Sequence, residues 1–183
     1  MTQPFRDAGF VVMEPAVRGE NGQPGSYSMF YDEVTDVMAA ADYLAQVPYV
    51  DPTRMFVAGH SVGGTLTLLA ALSTDRFRAA ASFSGSPDQV AWSRGQTQLV
   101  PFNPSDTQEF RMRSPIAFAT EFKCPTRVLC GSEAAFFVDS SVRMAELAQK
   151  KGLDVAAIQS SGDHFSAVPE EMRRTIEFFR NKL

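Results

Sequence analysis

The stretch Met55–Leu72, read as MFVAGHSVGGTLTLLAAL, decides how this chain folds. A short apolar run ends at Ala58, a glycine-rich turn centred on Ser61 follows, and a run of alanine, leucine and threonine then continues without a helix breaker. A short apolar run bounded by turn residues is typical of a buried strand, and the longer run is typical of a helix. The stretch therefore predicts a strand, a sharp turn and a helix.

The turn has the pattern Gly-x-Ser-x-Gly, from Gly59 to Gly63. At a strand-to-helix junction this pattern holds the serine in a strained backbone conformation, and the flanking glycines avoid side-chain collisions. The Ser61 hydroxyl would then stand at a helix N-terminus, where free N–H groups favour the negative charge of an acyl-transfer intermediate. A turn that only lets a strand and a helix pack closely is the alternative, and the flanking strand and helix favour the catalytic interpretation.

Two further stretches carry a resemblance to a known family. They are DAGFVVMEPAVRG at residues 7–19 and FYDEVTDVMAAADYLAQVPYVDPTRMFVAGHSVGG at residues 30–64. With them the chain resembles the catalytic domain of the prolyl oligopeptidase group of α/β-hydrolases, from about Phe5 to the C-terminus and least between Ser86 and Arg113. The resemblance implies the α/β-hydrolase fold, a mostly parallel sheet with helices on both faces, shortened at its N-terminus.

The rest of the chain alternates apolar runs typical of strands with amphipathic patterns typical of helices. Such alternation predicts an α/β fold whose parallel sheet is covered on both faces. We expect one domain over residues 1–183, in which residues 86–113 form either a small cap over the site or a surface loop. The predicted strands are Phe10–Met13, Met55–Ala58, Phe77–Phe83, Thr126–Cys130 and Asp154–Ile158, and the main predicted helices are Phe30–Ala45, Asp139–Lys151 and Pro169–Lys182.

The composition gives no sign of a nucleic-acid or membrane partner. The net charge is −4, the isoelectric point is about 5.2, and the lysines and arginines are scattered rather than clustered. No apolar run approaches the roughly 20 residues of a membrane helix, and the N-terminus has no signal-peptide pattern. A cytoplasmic location is therefore expected.

The two cysteines, Cys124 and Cys130, are expected to be free thiols. They bracket one predicted strand, and six residues of extended chain hold them about 20 Å apart, beyond disulfide reach. Neither has nearby partners for a metal site, and GHSVGG lacks the lysine of a phosphate-binding loop. We expect no metal and no cofactor.

A serine hydroxyl is a poor nucleophile without a base, so Ser61 predicts a histidine elsewhere in the chain. The chain contains two histidines. His60 precedes the serine, and its side chain should leave the turn in another direction, as a supporting or packing residue. His164 lies in SSGDHF, just after the last predicted strand, where the family places its base. An exposed histidine without a role is the alternative, and elimination together with position favours catalysis.

The chain departs from the family at the third member of the triad. The family places an aspartate three residues after the glycine that follows this strand, and Ala134 stands there in Gly131-Ser132-Glu133-Ala134. Glu133 has a longer side chain that could orient the imidazole of His164, and Asp139 is the next candidate. We prefer Glu133; the alternative is that it is an ordinary solvated carboxylate and the triad is incomplete.

A second departure concerns the oxyanion site. The resemblance implies an earlier strand, between the Phe10 and Met55 strands, whose following loop supplies one of two oxyanion N–H groups. Here only the Val62 N–H can be assigned, and losing one donor lowers turnover by roughly 100- to 1,000-fold. Three explanations for the missing strand are open: the chain is a fragment, or the Phe10 and Met55 strands pair directly, or another chain occupies the position between them. We expect a homodimer, for which residues 134–137, Ala-Ala-Phe-Phe, offer further apolar surface.

These features together predict a cofactor-free serine hydrolase that cleaves a small-molecule ester or a short peptide through an acyl-enzyme intermediate. Ser61 would be the nucleophile, His164 the base and acid, and Glu133 the orienting acid. Family members that cut peptides often carry a separate propeller domain, and because none is present here, ester cleavage is expected over peptide cleavage. The alternative is a non-catalytic or truncated hydrolase-like domain with weak or no turnover.

Overall fold

One four-stranded sheet lies at the centre of the structure, a computed structural model that describes residues 2–183. The strands lie side by side in chain order, and every neighbouring pair is parallel. Parallel neighbours require a crossover connection, which the intervening helices supply. The α/β class and the parallel sheet are therefore confirmed. The strands are β1 Phe56–His60, β2 Ala79–Phe83, β3 Thr126–Gly131 and β4 Val155–Ser160.

Helices cover both faces of this sheet, as the alternating pattern predicted. Short 3₁₀ turns also occur at Thr97–Leu99 and Pro115–Glu121. The helices are α1 Gln3–Asp7, α2 Glu33–Leu44, α3 Val62–Ser73, α4 Gln89–Ser93, α5 Thr107–Met112, α6 Ala135–Gln149 and α7 Val168–Arg180. Side chains of α2, α3 and α6 join the core on one face, and those of α1 and α7 join the core on the other.

Small side chains fill the centre of the sheet. Every residue of β2, which reads Ala-Ala-Ala-Ser-Phe, is buried. Ala80 faces the core beneath α3 and α6, whereas Ala79 and Ala81 face the core beneath α7. Strands buried on both faces are nearly continuous apolar runs, and β2 is apolar except for Ser82. This packing brings the C-terminal ends of the strands, and the loops that follow them, to one edge of the sheet.

The predicted strand at Phe10–Met13 is wrong. Residues 10–17 have no regular secondary structure, and β1 is an edge strand. The Phe10 ring packs edge-on against Phe56 at 5.9 Å and against Phe179 at 6.3 Å between ring centroids. These side-chain contacts hold the segment beside β1, but no backbone ladder joins the two. Apolar character alone does not make a strand when the backbone has no neighbouring strand to bond.

Two clefts lie along the free edge of β1. They have volumes of about 420 and 550 Å³, and both are lined by Met13 and Pro15 as well as by Phe56 and Ala58 of β1. Paired strands lie only about 4.7–4.9 Å apart and leave no such space between them. Direct pairing of the Phe10 segment with β1, one of the alternatives considered from the sequence, is therefore contradicted.

The remaining predicted elements are present with shifted boundaries. α6 begins at Ala135 rather than at Asp139, so the paired phenylalanines Phe136 and Phe137 belong to its first turn. β2 begins at Ala79 rather than at Phe77. The elbow strand extends to His60, which places the turn residue Ser61 immediately between strand and helix.

Residues 86–113 form two short helices, α4 and α5, joined by irregular chain. Their buried arginine, Arg113, donates a hydrogen bond of 2.9 Å to the Ser28 carbonyl oxygen and lies over the Phe102 ring at 4.4 Å. This ties the segment to the N-terminal loop. Its apolar side chains Trp92, Val100 and Phe102 pack in a cluster that includes Leu66 and Leu69 of α3.

The two cysteines, Cys124 and Cys130, are free thiols, as the sequence predicted. Both are buried, and burial raises the pKa of each thiol to about 11. Within residues 2–183, no helix has the length and apolar character needed to cross a membrane. The same residues contain no group of three or more His, Cys, Asp or Glu side chains placed to hold a metal ion.

Candidate active site

Ser61 occupies the turn between β1 and α3. Its backbone angles are φ 57° and ψ −116°, a conformation that costs a non-glycine residue about 1–3 kcal/mol. Hydrogen bonds on both sides of the turn hold it there. The Ser61 N–H donates to the Phe83 carbonyl at 2.9 Å, and the Thr65 N–H donates to the Ser61 carbonyl at 3.1 Å. The strained turn that the sequence predicted is therefore present.

The glycines around this turn are required for different reasons. A Cβ atom at Gly59 would lie 2.3 Å from the Gly63 carbonyl oxygen, and one at Gly64 would lie 2.9 Å from the backbone of Gly85. Strand and helix therefore approach too closely for side chains at these two positions. A Cβ atom at Gly63 would meet nothing within 4 Å, so the predicted collision at that glycine is wrong. Gly63 instead lines the smaller cleft beside β1.

The two histidines of the chain contact each other. The ring centroids of His60 and His164 are 4.6 Å apart, and the His60 Nε2 atom lies 2.8 Å from the His164 carbonyl oxygen. Because a carbonyl oxygen can only accept a hydrogen bond, His60 Nε2 carries a hydrogen atom and is the donor of this bond. The histidine that the sequence assigned to a supporting role thus holds the backbone of the predicted base.

Aromatic rings also surround the His164 imidazole. Phe137 stacks on it with a centroid distance of 5.1 Å and an interplanar angle of 24°, and Phe165 meets it edge-on at 4.9 Å. Burial is the main cause that lowers the His164 pKa; a nearby His60 charge adds to this and Asp163 opposes it. The lowered pKa favours the neutral imidazole, the form that accepts a proton.

Asp163 shapes the loop that presents His164. Its carboxylate accepts hydrogen bonds from the Phe165 N–H at 2.8 Å and from the Ser166 N–H at 2.7 Å. The Ser166 hydroxyl donates to it at 2.8 Å. These donors lower the Asp163 pKa to about 2 and keep it ionised. Asp163 is thus engaged within the loop rather than at the imidazole.

The structure does not bring either predicted acid to the imidazole. The His164 Nδ1 atom is buried and has no hydrogen-bond partner among residues 2–183. Glu133 and Asp139 are both exposed. The main chain of Glu133 does reach the histidine loop, because its N–H donates to the Gly162 carbonyl at 3.0 Å. The orienting role of Glu133 stays a prediction.

The remaining predicted groups, Ser61, His164 and the Val62 N–H, are not joined by hydrogen bonds within residues 2–183. In the part of the chain that the structure describes, no hydrogen bond links Ser61 to His164. The Val62 N–H begins α3 and makes no hydrogen bond within those residues, so it is free to act as an oxyanion donor. Catalytic hydrogen bonds are often long or poorly aligned without substrate and tighten when it binds, so a missing bond between Ser61 and His164 is compatible with catalysis.

Sequence reasoning missed Phe137 as a neighbour of His164. The paired phenylalanines Phe136 and Phe137 were interpreted only as apolar surface, because α6 was expected to begin after them. A helix that begins at Ala135 places Phe137 in its first turn, close to the loop that follows β4. The signal available in the sequence was the aromatic pair itself, which follows β3 and the predicted acid Glu133 by a few residues.

Comparison with known proteins identifies the family. A sequence model described as the prolyl oligopeptidase family matches residues 1–183. The chain belongs to the prolyl oligopeptidase family. This family member is 33% identical over 126 residues to the uncharacterized peptidase YuxL of Bacillus subtilis (strain 168), across 63% of the chain and 18% of that protein. It is 27% identical over 168 residues to the acylamino-acid-releasing enzyme of Arabidopsis thaliana, across 82% of the chain and 21% of that protein.

A solved structure supports the same fold for this prolyl oligopeptidase family member. The uncomplexed acylaminoacyl peptidase of Pyrococcus horikoshii matches it with a TM-score of 0.77 at 23% identity, over 91% of this chain and 31% of that chain. Likeness at this identity concerns the fold, and it confirms the predicted α/β-hydrolase fold. The chain spans only 18% and 21% of the lengths of the two curated relatives.

Proposed function

We propose that this chain carries the reacting residues of a serine hydrolase that cleaves an ester or amide bond through an acyl-enzyme intermediate. The observation that carries the proposal is the backbone of Ser61, whose φ of 57° sets it between β1 and the N-terminus of α3. Strain of this kind persists only where surrounding structure holds it, and it clusters at active sites. Membership of the prolyl oligopeptidase family supports the same assignment.

In this proposal the Ser61 hydroxyl attacks the carbonyl carbon of the substrate while His164 takes its proton. Since Nδ1 of His164 is buried, Nε2 is the atom that exchanges the proton with Ser61 and then with the leaving group. The Val62 N–H, at the start of α3, stabilises the oxyanion. Water then attacks the acyl-enzyme, and the same imidazole acts first as base and then as acid. In the same proposal Glu133 approaches the imidazole during turnover and stabilises its charged form.

The names of the relatives favour an amide bond in a short peptide or an acylated amino acid. The Bacillus subtilis relative is named a peptidase, and the Arabidopsis thaliana relative is named an acylamino-acid-releasing enzyme. An ester with the same acyl group would undergo the same acyl transfer, so a small-molecule ester is included in the proposal. This ranks the amide above the ester, against the expectation drawn from the sequence.

A non-catalytic or weakly active domain is the second candidate. Three observations favour it: the His164 Nδ1 atom has no partner among the described residues, Ala134 stands where the family has its acid, and one oxyanion donor is assigned. Each missing contact lowers the rate without removing the nucleophile. The two candidates therefore differ in whether Ser61 reacts at all.

Labelling with a fluorophosphonate probe decides between them, because the probe reacts only with an activated serine. We expect purified protein to be labelled, and the label to be lost in Ser61→Ala. Ser73→Ala, at the exposed end of the same helix, is the matched control and should label like the wild type. A wild-type protein that takes no label, while correctly folded, would overturn the proposed function in favour of the second candidate.

A further inference from the structure

We propose that Phe137 is the residue that positions the His164 imidazole, by stacking on the face of its ring; this inference rests on the proposed role of His164 as the base. The two rings are nearly parallel, with an interplanar angle of 24° and centroids 5.1 Å apart. Stacked aromatic pairs in this range attract each other beyond the burial of their area. The contact therefore favours one orientation of the imidazole.

The usual restraint on a catalytic histidine is not made here. A carboxylate at Nδ1 normally fixes both the tautomer and the orientation of the ring. In His164 that atom is buried and has no hydrogen-bond partner within residues 2–183, and the two predicted acids, Glu133 and Asp139, are exposed. The ring must then be held by packing, and the stacked ring of Phe137 supplies a flat surface for it.

Phe137 is a firmer support than the other phenylalanine beside His164. It lies in the first turn of α6, whose later residues Met144 and Ala148 are fully buried in the core. Phe165 lies in the loop after β4 with 73% of its surface exposed, and it meets the imidazole edge-on. A ring anchored on a packed helix keeps its position, whereas an exposed loop residue moves with its loop.

His60 completes the arrangement from the backbone side. Its Nε2 atom donates a hydrogen bond to the His164 carbonyl oxygen at 2.8 Å, which fixes the main chain. Its ring also contacts the imidazole, but at an interplanar angle of 44°, whereas the Phe137 ring lies nearly parallel to it. The hydrogen bond from His60 therefore restrains the backbone, and stacking on Phe137 restrains the plane of the imidazole ring.

The test compares Phe137→Leu, which keeps an apolar side chain but removes the flat face, with Phe137→Tyr, which keeps the face. Phe136→Leu is the matched control, because Phe136 is the neighbouring phenylalanine and packs on Phe137 rather than on His164. The readouts are the rate of fluorophosphonate labelling and the hydrolysis of p-nitrophenyl acetate. Thermal melts followed by circular dichroism establish that each variant is folded.

We expect Phe137→Leu to slow labelling and to lower kcat by about 10- to 100-fold with little change in KM, because misorientation of a reacting group affects the transition state. Phe137→Tyr and Phe136→Leu should remain within about twofold of the wild type. A folded Phe137→Leu variant that reacts as fast as the wild type overturns the inference. So does a Phe137→Tyr variant that reacts as slowly as Phe137→Leu, since that result indicates a purely structural role.

A spectroscopic readout separates this inference from the proposed function. The chain has two histidines, so the His164 ring protons can be assigned by comparison with His60→Gln. Stacking predicts an upfield ring-current shift of these protons that disappears in Phe137→Leu and persists in Phe137→Tyr. If the wild type takes no fluorophosphonate, the proposed function fails, and the spectrum alone decides whether Phe137 positions the ring. An unchanged His164 spectrum in Phe137→Leu overturns the stacking.

Discussion

At the scale of single residues, Glu171 is a carboxylate enclosed in the interior of the protein. It has no exposed surface, and neither of its oxygens has a hydrogen-bond partner among the described residues. Burial raises its pKa from 4.5 to about 7, because a low-dielectric interior disfavours the charged form. Ionisation of Glu171 therefore opposes folding.

The sign of the pH dependence follows from this raised pKa. Between about pH 4.5 and pH 7 the folded protein keeps a proton that the unfolded chain has lost, so stability falls as the pH rises through this window. We expect Glu171→Gln to raise the free energy of unfolding by about 2–3 kcal/mol at pH 8 and to change it little at pH 4. Urea unfolding at both pH values measures this.

The neighbouring Glu170 serves as the control for that measurement. Arg173 and Arg174 donate hydrogen bonds to it and lower its pKa to about 2, the opposite direction. Glu170→Gln should therefore destabilise the protein above about pH 4.5 rather than stabilise it. An effect of Glu171→Gln that is the same at pH 4 and pH 8 would contradict the assigned pKa.

A second residue-scale prediction concerns the acid of the triad. If Glu133 orients His164 during turnover, Glu133→Gln lowers kcat by about 100-fold or more, because only the true partner stabilises the imidazolium. Asp139→Asn, on the first turns of α6, should change kcat little. Steady-state hydrolysis of p-nitrophenyl acetate compares the two. The reverse ranking would move the assignment to Asp139, and negligible effects in both would leave the imidazole without an acid.

Sequence reasoning identified residues by their chemistry but not by their surroundings. Ser61 and His164 were predicted because few side chains suit a nucleophile and a base, and because the turn around Ser61 is defined by adjacent residues. The stacking of Phe137 and the burial of Glu171 depend on contacts between distant segments. The phenylalanine pair indicates that aromatic side chains follow β3, but neither this pair nor a glutamate in a helix shows which distant residues it contacts.

At the scale of elements, the strand, turn and helix around Ser61 form a unit whose glycines differ in function. Gly59 is closed in by the Gly63 carbonyl, whereas Gly63 faces open space. Within residues 2–183, the first glycine of the pattern Gly-x-Ser-x-Gly has no room for a side chain, whereas the last glycine has room for one. This difference is local enough to be tested by single substitutions.

We expect Gly59→Ala to destabilise the protein by at least about 2 kcal/mol, because the added methyl group would lie 2.3 Å from a backbone oxygen that cannot move aside. Gly63→Ala should be neutral or stabilising by up to about 1 kcal/mol, since alanine is the better helix former. Denaturant midpoints of the two variants measure the difference. Equal destabilisation by both substitutions would refute this account.

The strands that the sequence predicted correctly are those that have a neighbouring strand to pair with. Runs of apolar residues at β2, β3 and β4 became strands because each has a parallel neighbour to bond. The run at Phe10–Met13 has the same character and is not a strand, because no strand within residues 2–183 pairs with it. Strand formation is thus decided by pairing, which a single run of residues does not contain.

At the scale of the whole molecule, β1 forms one edge of the sheet, and within residues 2–183 no strand pairs with that edge. The Met55 carbonyl accepts a hydrogen bond from the Arg78 N–H, just before β2, and the Ser61 N–H donates to Phe83 of β2. Main-chain groups alternate sides along a strand. Those of Phe56, Ala58 and His60 therefore point away from β2, towards the two clefts. An unpaired strand edge is a template for another chain.

We propose that a second copy of the chain covers this edge. Val11 and Met13, beside it, are 52% and 39% exposed, so the surface to be buried is apolar as well as unpaired. A specific contact would bury more than about 1,000 Å² in total. Light scattering on dilute purified protein should give the mass of a dimer.

Ala58→Pro is the sharpest variant for this prediction. Proline at this position removes the N–H that faces the clefts and keeps the bonds between β1 and β2, so the monomer should remain folded. Ala58→Thr keeps that N–H and should remain dimeric. A wild type that is monomeric at every concentration would refute the dimer.

The position of α7 in the chain has a consequence for the synthesis of the protein. This helix follows all four strands and contributes Val168, Met172 and Phe179 to the core on the second face of the sheet. While the strands emerge from the ribosome, that face still lacks its main cover. A nascent chain therefore presents apolar sheet surface that chaperones recognise, and packing of this face is completed only after α7 has been translated.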